Sequence, residues 1–88
     1  MRIAFETSFA RDLKRVKDEQ LLRRVEQVIG EIKAATELSD IKCLSKLKGY
    51  DTFYRIRLGD YRIGIEVLED KVILVRILHR KDIYRHFP

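Results

Sequence analysis

The sequence predicts an α+β domain, a small antiparallel sheet with an N-terminal helical hairpin packed on one face. Three observations carry that expectation. Residues 53–79 hold three strand-like runs separated by the turn pairs Gly59-Asp60 and Glu69-Asp70. Ahead of them, residues 7–32 place apolar side chains at helical spacing. The 88 residues include one proline and four glycines, which suits a single compact domain over 1–88 with the order β-α-α-β-β-β.

Residues 2–6 alternate, Ile3 and Phe5 against Arg2, Ala4 and Glu6, and read as a short first strand. Thr7 or Ser8 is expected to cap the helix that follows, whose apolar face is Phe9, Leu13 and Val16. Asp18 is expected to cap the second helix, with Leu21, Leu22, Val25, Val28, Ile29 and Ile32 as its buried stripe. Glu19 and Arg23 stand one turn apart on its exposed side. Gly30 lies inside that pattern at a cost of about 1 kcal/mol relative to alanine, and a close helix-to-sheet approach is the expected reason. Both stripes are ordinary core.

Residues 36–52 form the connection into the sheet, anchored by Ile41, Leu44 and Leu47. Strands are expected near 53–58, 61–68 and 71–79. The unalternating run Val72-Ile73-Leu74-Val75 suits a strand covered on both faces. His86 and Phe87, next to the end of the chain, are expected to fray. Cys43 is the only cysteine, so no intrachain disulfide or multi-cysteine metal site can form, and a small buried thiol is expected.

The net charge of +5 is uneven. Residues 1–37 carry eight Lys/Arg against seven Asp/Glu, whereas residues 38–88 carry eleven against seven. The excess sits on the sheet half, which suits a polyanion such as nucleic acid held against the sheet, or simply a solvated basic surface. No stretch approaches the roughly 20 apolar residues of a membrane span, and the first residues lack a signal-peptide core. A cytoplasmic location without membrane contact is expected. The chain has no GxxxxGK[ST] loop, no His-rich metal set and no paired carboxylate. Nucleotide hydrolases, metalloenzymes and glycosidases therefore have no support, and neither metal nor cofactor is expected.

The central hairpin is the most informative element. Gly59-Asp60 is a two-residue turn with glycine first, as a type II′ turn requires. Folding there sets Leu58 opposite Tyr61, Arg57 opposite Arg62 and Arg55 opposite Gly64. Tyr54, Ile56 and Leu58 then share the face opposite the arginines, so Tyr54 and Tyr61 are packing residues. Like charges facing each other across a ladder are destabilising, so such a face is expected to meet an anion. An even second turn brings His79 to the arginine face; an odd one brings Arg76 instead.

The elements Lys46-Leu47-Lys48-Gly49, Tyr54-Arg55-Ile56-Arg57-Leu58, Gly59-Asp60-Tyr61-Arg62 and His79-Arg80-Lys81-Asp82-Ile83-Tyr84-Arg85 resemble the RelE/ParE toxins of bacterial and archaeal type II toxin–antitoxin systems. The similarity is greater to the RelE side, whose members are ribosome-dependent mRNA endonucleases. It implies a phosphate-gripping set of Arg55, Arg57, Arg62 and Arg80 with Tyr84, where the best-known members have lysines at the two strand positions. It implies mRNA cut in the ribosomal A site by attack of its own 2′-hydroxyl on phosphate, without metal. The partners implied are the ribosome with its mRNA and a cognate antitoxin, with operator DNA met only through the toxin–antitoxin complex.

The chemistry of these side chains agrees with that cast. Guanidinium groups hold phosphate oxygens bidentately and stabilise developing negative charge. They remain protonated at any working pH, so a proton acceptor has to come from elsewhere. The resemblance favours Tyr84, whereas histidine, ordinarily near 6.5, is better matched to neutral pH and favours His79. Lys46, Lys48, Lys81 and Arg85 are expected to steer mRNA or rRNA. A ParE-like poison of DNA gyrase and a non-catalytic nucleic-acid-binding module or decayed toxin are the alternatives.

Overall fold

The structure is a computed structural model that describes all 88 residues. Strand β1 (Arg2–Phe5) leads into helices α1 (Thr7–Lys14) and α2 (Glu19–Ala34), and a short 3-10 turn occupies Leu38–Asp40. Strands β2 (Leu44–Lys46), β3 (Phe53–Leu58), β4 (Tyr61–Leu68) and β5 (Lys71–His79) follow, and the chain closes with a one-turn helix, α3 (Ile83–His86). The sheet order is β1-β5-β4-β3-β2. Strands β3 to β5 are antiparallel as expected, an unexpected short β2 adds antiparallel to β3, and β1 runs parallel to β5, so the five-stranded sheet is mixed. The helical connection between β1 and the rest of the sheet lets the first strand enter in that sense.

One face of the sheet and the two long helices enclose the core. Phe9, Val25 and Ile32 pack onto Ile56, Ile63, Ile65, Val72 and Leu74, all 2% exposed or less. Asp18 caps α2 as expected, accepting from the N–H groups of Gln20 and Leu21 at 2.9 and 3.2 Å. Neither Thr7 nor Ser8 caps α1. Thr7 is already helical, and the Ser8 hydroxyl donates instead to the Val75 carbonyl. Close approach does not explain Gly30 either, because a Cβ there would meet nothing within 4 Å.

Helix α1 is fastened to the upper part of β5, beyond the reach of β1. Asp12 is the buried charge that does this: its carboxylate accepts from Arg76 Nε and Nη2 at 2.7 and 3.0 Å and from the Ile77 N–H at 3.1 Å. A side chain thus replaces the missing neighbouring strand as the partner of that edge N–H. The hydrogen-bonded carboxylate holds the Arg76 guanidinium above its ordinary pKa.

Candidate nucleic-acid interface

Backbone register decides which charges meet. Strands β3 and β4 pair Leu58 with Tyr61, Arg57 with Arg62 and Arg55 with Gly64, as the hairpin chemistry predicts. Gly59 has φ +62°, the conformation that the first turn position demands and that side chains resist. The second turn is also two residues, since Leu68 pairs with Lys71. An even turn alone would carry His79 to the arginine face, but Gly64 pairs with Arg76 while Ile65 pairs with Leu74. Val75 is therefore an extra residue, and this bulge reverses the facing of everything beyond it.

His79 consequently lies opposite Tyr61 on the helix-covered face, the two rings 5.6 Å apart. Its Nδ1 accepts from the Lys81 N–H at 3.2 Å. The expectation that His79 serves the arginine face is corrected. Arg76 takes the place on that face, but its guanidinium is committed to Asp12 at the sheet edge.

Arg55, Arg57 and Arg62 line one open cleft of about 360 Å³, together with Ser45, Cys43 and Tyr84. None of the three makes an ion pair with a carboxylate; the salt bridges of the molecule involve Arg2, Arg23 and Arg76. Arg62 is aimed by its own hairpin, with Nη1 donating to the carbonyls of Gly59 and Tyr61 at 2.7 and 2.8 Å. The Arg55 guanidinium stacks over the Tyr84 ring at 4.9 Å from its centre, a cation–π contact that places the exposed tyrosine at the cleft wall. Cys43 is exposed rather than buried, and its φ of +60° turns the chain into β2.

The C-terminal turn is docked on the same face, contrary to the expectation of fraying. Ile83 and Phe87 are 0% and 5% exposed. Phe87 lies over Gly64, where a Cβ would come within 2.6 Å of the ring, and edge-on to Phe53 at 5.5 Å. The bare Gly64 backbone therefore seats Phe87, Phe87 seats α3, and α3 presents Tyr84 to Arg55. Gly64→Ala is expected to lower stability by about 1–3 kcal/mol, the range for forcing extra atoms into a packed site. It should also free the C-terminal residues for rapid proteolysis. Urea unfolding and limited digestion measure the two effects.

Residues 3–84 match the family described as ParE toxin of type II toxin–antitoxin system, parDE. The chain belongs to this family. Over 89 aligned residues, covering all of both chains, it is 45% identical to Toxin RelE3 of Methanocaldococcus jannaschii. Putative toxin RelE1 of the same organism is 35% identical over 78 residues, 82% of this chain and 83% of the relative. Among solved structures, the RelB-RelE antitoxin–toxin complex from Methanococcus jannaschii aligns with TM-score 0.81 at 44% identity, covering 97% of this chain and 99% of that one. The archaeal RelE-RelB complex from Pyrococcus horikoshii OT3 shares the fold, with TM-score 0.72 and 20% identity over 90% of this chain and 93% of that one. The protein is thus a toxin of a type II toxin–antitoxin system with a RelE-like fold.

The remaining basic residues expected to meet RNA lie outside the cleft lining. Lys46 pairs with Tyr54 and so takes the helix side of the sheet, away from the arginines. Lys48 borders a second groove beside the cleft. Arg80, Lys81 and Arg85 are exposed, but none lines the cleft. Arg80 sits at the hairpin end, its N–H bonded to the Asp60 carbonyl at 2.7 Å. Sequence reasoning missed β2 and α3, because runs of three and four residues have no readable period. It also passed over Tyr50, 47% exposed beside Lys48, for which only the preceding Gly49 turn was a signal.

Proposed function

We propose that this toxin is a ribosome-dependent endonuclease that cuts mRNA in the ribosomal A site and is neutralised by a cognate antitoxin. The observation that carries this reading is the gathering of Arg55, Arg57 and Arg62 in one cleft without a carboxylate partner, with Tyr84 at its wall. Unpaired guanidinium groups that repel one another become favourable when a phosphate lies between them. In the reaction the ribose 2′-oxygen attacks phosphorus, its proton passing through the Tyr84 hydroxyl to solvent water, and the bond from phosphorus to the 5′-oxygen breaks. The 5′-oxygen leaves with a proton from solvent, giving a 2′,3′-cyclic phosphate and a 5′-hydroxyl. Tyr84 is favoured as proton acceptor over His79 because only Tyr84 borders the cleft. Charge stabilisation falls to the three arginines of the cleft, with Arg80, at the hairpin end, as a further cation for the strand.

An open cleft on so small a protein holds a flexible strand loosely, so the ribosome supplies positioning. A solved relative at 44% identity is a RelB-RelE antitoxin–toxin complex, which supports an antitoxin of that kind for this chain. Inducing the toxin alone and mapping mRNA 5′ ends by primer extension tests the proposal. Codon-phased cuts confined to translated regions are expected. Growth arrest with intact message and induced DNA damage response would instead support a gyrase poison, the activity suggested by the ParE side of the family.

A further inference from the structure

We propose that the groove beside the arginine cleft is a nucleobase slot in which Tyr50 stacks on one base of the bound RNA. This rests on the nuclease reading above and adds a specificity-determining residue to it. The groove, about 320 Å³, lies between the Leu47–Tyr50 turn and the C-terminal turn, with Tyr50, Tyr84, Phe87 and Leu47 among its walls. It shares Arg55 and Tyr84 with the cationic cleft, so the stacked pair is a partition between an aromatic compartment and a guanidinium one. A nucleotide has this same duality, a flat apolar-faced base joined through a ribose to an anionic phosphate. With phosphate among Arg55, Arg57 and Arg62 and the base against Tyr50, the ribose falls at the partition, where the Tyr84 hydroxyl meets its 2′-oxygen.

Two further observations favour a base as the occupant. Tyr50 and Tyr84 are 47% and 72% exposed, and both rings flank this one groove, while its floor, Ile83 and Phe87, is buried. Tyr50 is also held in place. Gly49 at φ +87° turns the chain, the Tyr50 N–H returns to the Leu47 carbonyl at 3.3 Å, and the ring stands edge-on to Phe53 at 5.6 Å. An exposed but rigid aromatic face beside a cation-lined channel is the arrangement by which proteins bind single-stranded nucleic acid. Lys48 at the groove edge is placed for the adjoining phosphate.

Fluorescence anisotropy with a short single-stranded RNA, and with the same strand carrying abasic riboses, tests this on the full-length toxin. Tyr50→Ala and Tyr50→Leu are expected to weaken binding of the base-bearing RNA about tenfold, within the range that base–aromatic stacking supports. Tyr50→Phe should restore it, and abasic RNA should bind all four proteins equally. Tyr50→Leu keeps apolar packing on Phe53, so a folding defect confined to the alanine variant leaves the comparison intact. Unchanged binding of base-bearing RNA by Tyr50→Leu, or equal loss of abasic RNA, would overturn the slot. A Tyr50→Leu variant that binds RNA normally but antitoxin weakly would assign the groove to the antitoxin and overturn it equally. Failure of the nuclease reading appears separately, as RNA binding unaffected by Arg57→Ala and Arg62→Ala.

Discussion

Arg62→Ala is expected to lower single-turnover cleavage of ribosome-bound mRNA by about 100-fold or more, the usual consequence of removing one preorganised donor to a developing oxyanion. Toxicity on induction should disappear with it. Arg62 is the best-aimed group in the cleft because Gly59 and Tyr61 carbonyls hold its Nη1, leaving its other nitrogens for phosphate. Removing it also relieves repulsion with Arg57 across the ladder, so thermal unfolding should be unchanged or slightly raised. Arg62→Lys keeps the charge but not the planar fork, and partial activity is expected. Full activity in the alanine variant would remove the phosphate site from this face.

Asp12→Ala should destabilise the molecule as much as truncating a large core side chain. Its carboxylate, 1% exposed, satisfies the Arg76 guanidinium, 18% exposed, and the Ile77 N–H together. Breaking a buried pair by removing one partner costs about 3–5 kcal/mol. That is a large part of the roughly 5–15 kcal/mol that holds a domain together. Urea unfolding is the measurement. The double variant Asp12→Ala/Arg76→Met should recover much of the loss, because it removes the orphaned charge and restores apolar contact. Equal instability of the single and double variants would show that the Ile77 N–H, and not the guanidinium, carries the effect.

These two residues differ in how visibly the sequence announces them. Arg62 was legible because a two-residue turn and a period of two are local, and together they set cross-strand partners without knowledge of anything distant. Helix α2 was legible for the same reason, its cap and its stripe lying within one segment. Asp12 reads only as a polar residue on an amphipathic helix; its partner is 64 positions away, and no local pattern joins them. Gly64 and Phe87 are a similar case. A glycine in a strand and an aromatic near a terminus acquire meaning only when one is seated on the other.

Local patterns along the chain were enough for the α+β class, for the arginine-bearing hairpin with its register, and for the resemblance to RelE-like toxins that its 45% identical relative bears out. Three things needed the folded molecule: His79 turns away from the arginines, Arg76 is neutralised by Asp12, and Tyr84 comes to the cleft while Tyr50 flanks the groove beside it. The difference lies in the range of the interactions involved. Turn geometry and side-chain alternation act over a few residues, whereas a bulge is placed by the packing of β4 and β5 against helices and the C-terminal turn. One extra residue there, Val75, exchanged the two faces of the last strand and with them the membership of the site.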